Sequence, residues 1–474
     1  MEADSAVSCA GQWPRPHVSG RIRIHSIRLP SGVVQPVGSS LKPIPLTSSD
    51  IIPNRSARVG VAGLGLFALG GFVNQGLMYG GLVLMLLALS GQGGRFLELA
   101  GRMAFFRISA LLTGYILVSG LLGYLRSGDE WRPEVLESAL DLLLAGGIFA
   151  PVAAYWLGGD GRRVRWVLGL GLAGLVYALL TGFHWERLDA VMGGARDLFG
   201  MGNGAALFAA TGLTGLLILV ASGRLRSWWL ELSALVLLGC LAVVVLWTQT
   251  RAVWLACALV LPLVMIAMTL HAWKYHDNRR AIALLLVVAG LLVAAVVSTS
   301  QVLERRLSGE GAAFMALLSD ETGDYGNSGL RHRLPLWRDA LERVRERPVL
   351  GWGAGTSDIL ISTSEIGHRS SLTHYHNLYL QLQVELGSVG LILFLVWIGT
   401  ALKTAGAGAR NVREAFPVVV FLFAAIALFL LAGLFQIRHD DERGHYLLIL
   451  FGALAAHRAM FSGASVRAER KPDQ

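Results

Sequence analysis

One stretch of the chain gathers side chains able to hold an anion and to move a proton. Between Gln301 and Leu386 lie Arg331, Arg333, Arg338, Arg343, Arg345 and Arg347, followed by His374 and His376. A guanidinium is planar, stays charged at any accessible pH and makes paired hydrogen bonds to phosphate oxygens, so these arginines suit a substrate that carries negative charge. Imidazole titrates near neutrality and is the usual group for drawing a proton from a hydroxyl. Leu334, Trp337, Leu341 and Val344 recur at spacings of three and four, which predicts a helix with one apolar stripe. Pro335 suits its first turn and Pro348 ends it. Arg331 and Arg333 then stand just before the N-terminus, where free N–H groups already favour an anion. Arg338 and Arg345 fall on other faces, suited to solvent or lipid headgroups. The turn Gly351-Trp352-Gly353-Ala354-Gly355 permits close backbone approach but lacks the Lys-Ser/Thr of a phosphate-binding loop. A second helix is expected from near Thr373 to Gly387. On it His374 and His376, two apart, point to different faces and cannot share one metal ion.

What holds these groups is a membrane. The chain has 474 residues, 54% hydrophobic and only 15% charged, with a mean hydropathy of +0.55, too apolar for a soluble protein of this size. Twelve apolar runs are read as spans, at 57–73, 76–90, 104–124, 137–157, 164–182, 203–222, 228–247, 251–270, 281–300, 387–403, 415–435 and 444–461. The expected architecture is an all-α integral membrane protein. Residues 1–56 form a disordered cytoplasmic tail, 57–300 hold spans one to nine, 301–386 a long, partly helical outer loop, 387–461 spans ten to twelve, and 462–474 a cytoplasmic tail. Alternate loops carry Arg162, Arg163 and Arg165, then Arg224 and Arg226, then Lys403, Arg410 and Arg413 with almost no acids, so they and both termini lie inside. The net charge of +9 is then a matter of topology, not of nucleic-acid binding. Loops as long as 301–386 are seldom mere connectors. Cys9, Cys240 and Cys257 build neither a disulfide framework nor a zinc site.

The runs Arg333-Leu334-Pro335-Leu336-Trp337, Pro348-Val349-Leu350-Gly351-Trp352-Gly353, His376-Asn377-Leu378-Tyr379-Leu380-Gln381 and Glu385-Leu386-Gly387 resemble the signature of the O-antigen ligase and polymerase superfamily. Thr250-Arg251-Ala252, opening the eighth span, extends the resemblance, which runs at motif level from about Trp247 to Gly390 and is closest to the lipopolysaccharide O-antigen ligases. It implies a GT-C-like glycosyltransferase on the periplasmic face of the bacterial inner membrane. Such a ligase moves O-antigen polysaccharide from undecaprenyl pyrophosphate to the lipid A-core oligosaccharide, inverts the anomeric centre, and uses no metal or other cofactor. By position, Arg251 and Arg333 match the family's functional arginines and His376 its essential histidine. Arg331 also suits the second arginine; Arg333 is favoured because it stands four residues before the tryptophan.

Departure of a glycan from pyrophosphate concentrates negative charge that fixed guanidiniums can stabilise, and the acceptor hydroxyl needs its proton partly removed. His376 is the expected base, or else the group that orients the acceptor. Arg196 and Arg187, in the outward loop after the fifth span, are further candidates for phosphate contact. His374, Arg338, Arg438 and Arg443 are candidates for contacts to the acceptor or to lipid headgroups. Asp440, Asp441 and Glu442, set among Arg438, His439 and Arg443, read as an ion-pair cluster in preference to a cation site. The partners implied are the lipid-linked O-antigen, lipopolysaccharide and membrane lipids. Competing readings are an O-antigen or exopolysaccharide polymerase, a related protein O-oligosaccharyltransferase and, from another class, a transporter. A transporter is expected to show ionisable groups at mid-membrane or paired, interrupted helices, and neither is read here.

Overall fold

A computed structural model describes residues 54–145, 147–187, 198–201, 204–225, 227–275, 282–283, 286–290, 293, 297, 330–364, 374–409, 415–437 and 442–468, all within one compact unit. Residues 1–53 and 469–474, most of the span at 281–300, and the loop from 301 to 329 lie outside the described residues, as do Cys9, Arg196, Arg438, Asp440 and Asp441; helix continues to Ala468, into what was expected as the C-terminal tail.

The described chain is helical. In order it forms α1 (Asn54–Val73), α2 (Gln75–Leu89), α3 (Gly93–Gly101), α4 (Ala104–Arg126), α5 (Arg132–Ala145), α6 (Phe149–Leu157), α7 (Gly161–Thr181) and α8 (Gly204–Ala221). Then follow α9 (Trp228–Trp247), α10 (Arg251–Tyr275), α11 (Leu330–Glu346), α12 (Ser357–Ser362), α13 (Leu378–Ala409), α14 (Phe416–Ala432) and α15 (Glu442–Ala468). Eight helical runs among the described residues are long and apolar enough to cross a bilayer, or nine if the bent pair α2 and α3 counts as one span. Twelve were expected; α2 has 15 residues before a 101° bend, α14 has 17 residues, and 281–300 is described only in part.

Solvent preference is visible on the surface. Leu255, Leu259, Leu263, Ile266 and Leu270 of α10 form a stripe at least half exposed over about four turns, which is costly in water and natural against lipid. α8 is the opposite case, buried on nearly all sides, and α7, α9, α10 and α14 pack around it. Glycines let α1 and α2 approach closely: a Cβ on Gly63 would lie 2.8 Å from Gly81 O, and one on Gly70 2.5 Å from Met78 N.

Outside the bundle, α11, α12 and the start of α13 build a small second core from Leu336, Ala340, Leu360, Ile361, Tyr375 and Val384. It corrects the expected stripe on α11. Leu336 and Ala340 are buried while Leu341 is 48% exposed, because the small Ala340 lets α13 approach along that line. The helix is also longer than expected, so Arg331 and Arg333 lie within its first turns and Pro335 inside it.

Candidate functional site

The C-terminal end of α14 is a hub. Its last turn offers the carbonyl of Gly433, which accepts the backbone N–H of Leu378 at 2.8 Å, and that of Leu430, which accepts the Tyr379 hydroxyl at 2.8 Å. These bonds seat the start of α13. Just beyond, the Phe435 ring lies 5.9 Å from the Arg333 guanidinium and 6.2 Å from the Trp337 ring. The indole N–H of Trp337 in turn donates to the Tyr375 carbonyl at 3.0 Å. Arg333 and the turn holding His374 and His376 therefore meet on one support.

Arg251 reaches the same end by a different route. Near the far end of α10, the His271 ring stacks on Phe416 at 4.2 Å, so α10 and α14, which pack along their lengths, run antiparallel. At 1.5 Å per residue, Phe416 to Gly433 spans about 25 Å and His271 to Arg251 about 30 Å, which levels Arg251 with the hub to within about a turn. Its side chain is half-buried, with Nε and Nη1 enclosed by protein. Two residues earlier, Gln249 has φ +50.

The turn before α13 differs from expectation. The helix starts at Leu378, not near Thr373, because Asn377 caps it, its side-chain oxygen accepting the N–H groups of Tyr379 and Leu380 at 2.9 and 3.1 Å. Freed from helical geometry, His374 and His376 do not diverge; their rings meet edge to face with centroids 4.2 Å apart. His376 has φ +53, and Gln249 and His376 are the two residues other than glycine with positive φ among those described. Such strain persists only where the surroundings over-determine it.

Among those surroundings Tyr375 and Asp339 were not singled out by the sequence, whereas Gln381 and Glu385 lie in its motif runs. Tyr375 donates its hydroxyl to Asp339 at 3.1 Å and its backbone N–H to Gln381 at 3.2 Å. The Gln381 amide donates to Glu385 at 2.6 Å, and Glu385 accepts the Gly355 N–H at 3.3 Å. Burial pushes the Asp339 carboxyl above its usual range, which Arg343 at 3.8 Å partly offsets, and burial beside Asp339 raises the Tyr375 hydroxyl strongly. A glycine-rich turn completes the frame. Gly351, Gly353 and Gly355 all have positive φ, and Trp352 and Gly353 donate backbone N–H groups to Val384 and Glu385 carbonyls, both at 2.9 Å. That docking coincides with a break at Gly387, φ +65, which divides α13 into an outer helix and a span. The legible hints were the motif runs Pro348–Gly353 and Glu385–Gly387 and the recurrence of glycines on both sides of the contact.

Of the remaining candidates, some lie on α11 beside Arg333 and others away from it. Arg187 ends a short 3₁₀ turn, Trp185–Arg187, beside Glu186, which pairs with His184 at 3.1 Å. Arg338 is exposed on α11, as expected, and Arg443 sits in the first turn of α15. Arg331 lies in α11; Arg196 and Arg438 lie outside the described residues. Among the described residues no group of three His, Cys, Asp or Glu side chains is placed so that it could hold a metal ion. Cys240 and Cys257 are free thiols. An apolar cavity of about 580 Å³, lined by Phe183, Trp185, Phe199 and Trp247 among others, adjoins the α9–α10 junction.

Comparison with known proteins converges on the same region. Residues 234–395 match the family model described as O-Antigen ligase. Two curated proteins provisionally named polysaccharide ligases, from Rickettsia conorii and Rickettsia felis, are 39% and 38% identical over 80 residues, 15% of this chain. The match covers 19% of each relative's length. The matched domain takes in Arg251, Arg331, Arg333, Arg338, His374 and His376, and leaves Arg187, Arg196, Arg438 and Arg443 outside.

Proposed function

We propose that this multi-pass membrane protein, which carries an O-antigen ligase domain over residues 234–395, transfers O-antigen polysaccharide from undecaprenyl pyrophosphate to the lipid A-core oligosaccharide at the periplasmic face of the inner membrane. In the reaction the bond from the anomeric carbon to the phosphate oxygen breaks, and its electron pair leaves with undecaprenyl pyrophosphate. An acceptor hydroxyl attacks the opposite face of that carbon, inverting it, and gives up its proton. Arg251 and Arg333 hold the departing diphosphate, with Arg331, Arg187 and Arg196 as further cationic contacts. His376 takes the proton or orients the hydroxyl; His374, Arg338, Arg438 and Arg443 are contacts for the acceptor and headgroups.

The observation that carries this reading is that Arg333 and the His374–His376 turn meet at the α14 terminus, with the start of α10 level with it along the bundle by helix rise. Cations fixed beforehand where charge develops stabilise it without reorganisation. The apolar cavity beside Trp247 at the same end suits the hydrocarbon of a lipid-linked donor.

Purified protein given defined lipid-linked glycan and rough lipopolysaccharide, with and without chelator, is the test. Arg251→Ala and Arg333→Ala are each expected to lose about 2.7–4 kcal/mol of barrier stabilisation, a hundredfold to thousandfold in rate. Activity retained by His376→Gln would remove the base assignment. In cells, loss of the protein should leave full-length polymer on the carrier lipid; single repeat units on lipid A would instead identify a polymerase.

A further inference from the structure

A second cavity lies away from this site. About 370 Å³ in volume, it runs between α7, α8 and the starts of α14 and α15. Its mouth carries Arg165 and Arg224; its depth is apolar, with Leu168, Leu172, Leu219 and Leu450 among the walls. Phe72, Phe208 and Tyr446 close the bottom, Phe72 meeting the other two rings at 5.2 and 5.1 Å. Of the hydroxyls on the wall, Thr211 and Ser222 are already engaged by their own helix, with Leu207 O at 2.9 Å and Leu219 O at 2.7 Å, and that of Tyr446 lies at the bottom, 2.4 Å from the position a Cβ would take on Gly171. The interior thus offers a guest almost no hydrogen bonds, which disfavours a sugar and favours hydrocarbon.

Length and charge narrow the guest further. From Arg165 to Leu175 the groove follows α7 for about 15 Å, and from Ser222 to Phe208 it follows α8 for about 21 Å. That is about half to two-thirds of a hydrocarbon core of about 30 Å, enough for one acyl chain of one leaflet. A third cation stands at the mouth. The position a Cβ would take on Gly161 lies 3.8 Å from Arg165 Nη1 and 3.6 Å from Arg458 Nη2. The nearby Asp160 carboxylate is occupied in capping α7 through the Arg162 N–H at 2.8 Å. α9 starts beside this mouth and crosses to Trp247, so the arginines lie one bilayer crossing from Arg251.

We infer that this groove binds one anionic phospholipid of the leaflet opposite the candidate active site, an acyl chain filling the cavity and its phosphate held by Arg165, Arg224 and Arg458. The inference rests on the membrane character of the chain and not on the glycosyl-transfer reading, so either can fail alone.

Native mass spectrometry of the full-length protein in detergent, supplied with phosphatidylglycerol or phosphatidylethanolamine of identical chains, tests it. The expected result is one retained phosphatidylglycerol per chain, preferred on the order of tenfold. Arg165→Gln with Arg224→Gln should erase the preference but keep chain binding. Gly169 lines the groove and a Cβ there meets nothing within 4 Å, so Gly169→Phe should fill the groove, abolish retention and leave helix content and melting unchanged. Equal retention of both lipids by the wild type, retention unchanged in Gly169→Phe, or a dimer that Gly169→Phe dissociates would each overturn the proposal.

Discussion

His376 holds φ +53, a conformation that costs a residue with a Cβ about 1–2 kcal/mol. The strain is kept by its neighbour: the carbonyl, amide and hydroxyl of Tyr375 are each tied to a different partner. This separates the backbone's role from that of the imidazole. His376→Gly should be more stable than His376→Ala by about 1 kcal/mol, because glycine accepts positive φ without penalty. Both should lose transfer activity. Melting of the two purified variants, alongside the transfer assay, checks this; equal stability would mean that the turn relaxes away from φ +53 once the ring is gone.

At the scale of elements, the device is the break in α13. Gly387 turns the chain so that the outer helix carrying Gln381 and Glu385 can stand on the glycine-rich turn while the rest of α13 enters the bundle. A Cβ on Gly387 would lie 2.2 Å from Val349 O, and one on Gly351 2.4 Å from Glu385 O, contacts to backbone that cannot swing aside. Gly387→Ala should therefore destabilise by more than about 1 kcal/mol and reduce activity by displacing the His376 turn. Gly399, in the same helix with nothing within 4 Å of its Cβ position, is the control. Gly399→Ala should be neutral or stabilising by up to about 1 kcal/mol. Thermal melting compares them directly.

For the whole molecule, the two ends of the bundle differ in character: one carries the second core and the hub, the other the basic loops and the lipid groove. The charge pattern predicts that the first faces outward. In a variant lacking Cys9, Cys240 and Cys257, Arg345→Cys should react with an impermeant maleimide once the outer membrane is opened. Lys403→Cys should react only after lysis. The reverse pattern would invert the topology and with it the substrate assignment.

Read alone, the sequence determined that the chain spans a membrane repeatedly, pointed to 301–386 as the place to look for chemistry, and placed Arg251, Arg333 and His376 in a ligase-like motif set. These are local properties: apolar run length, charge between runs, and residue spacing are visible without knowing who packs against whom. The tertiary structure alone decided the start of α13 at Asn377, the meeting of the His374 and His376 rings, the buried line through Leu336 and Ala340, and the support of His376 by Asp339, Tyr375, Gln381 and Glu385. Each depends on a contact between segments distant in the chain, or on competition between a cap and a helix. Periodicity cannot rank such alternatives, because their free energies differ only through the partner that the fold supplies.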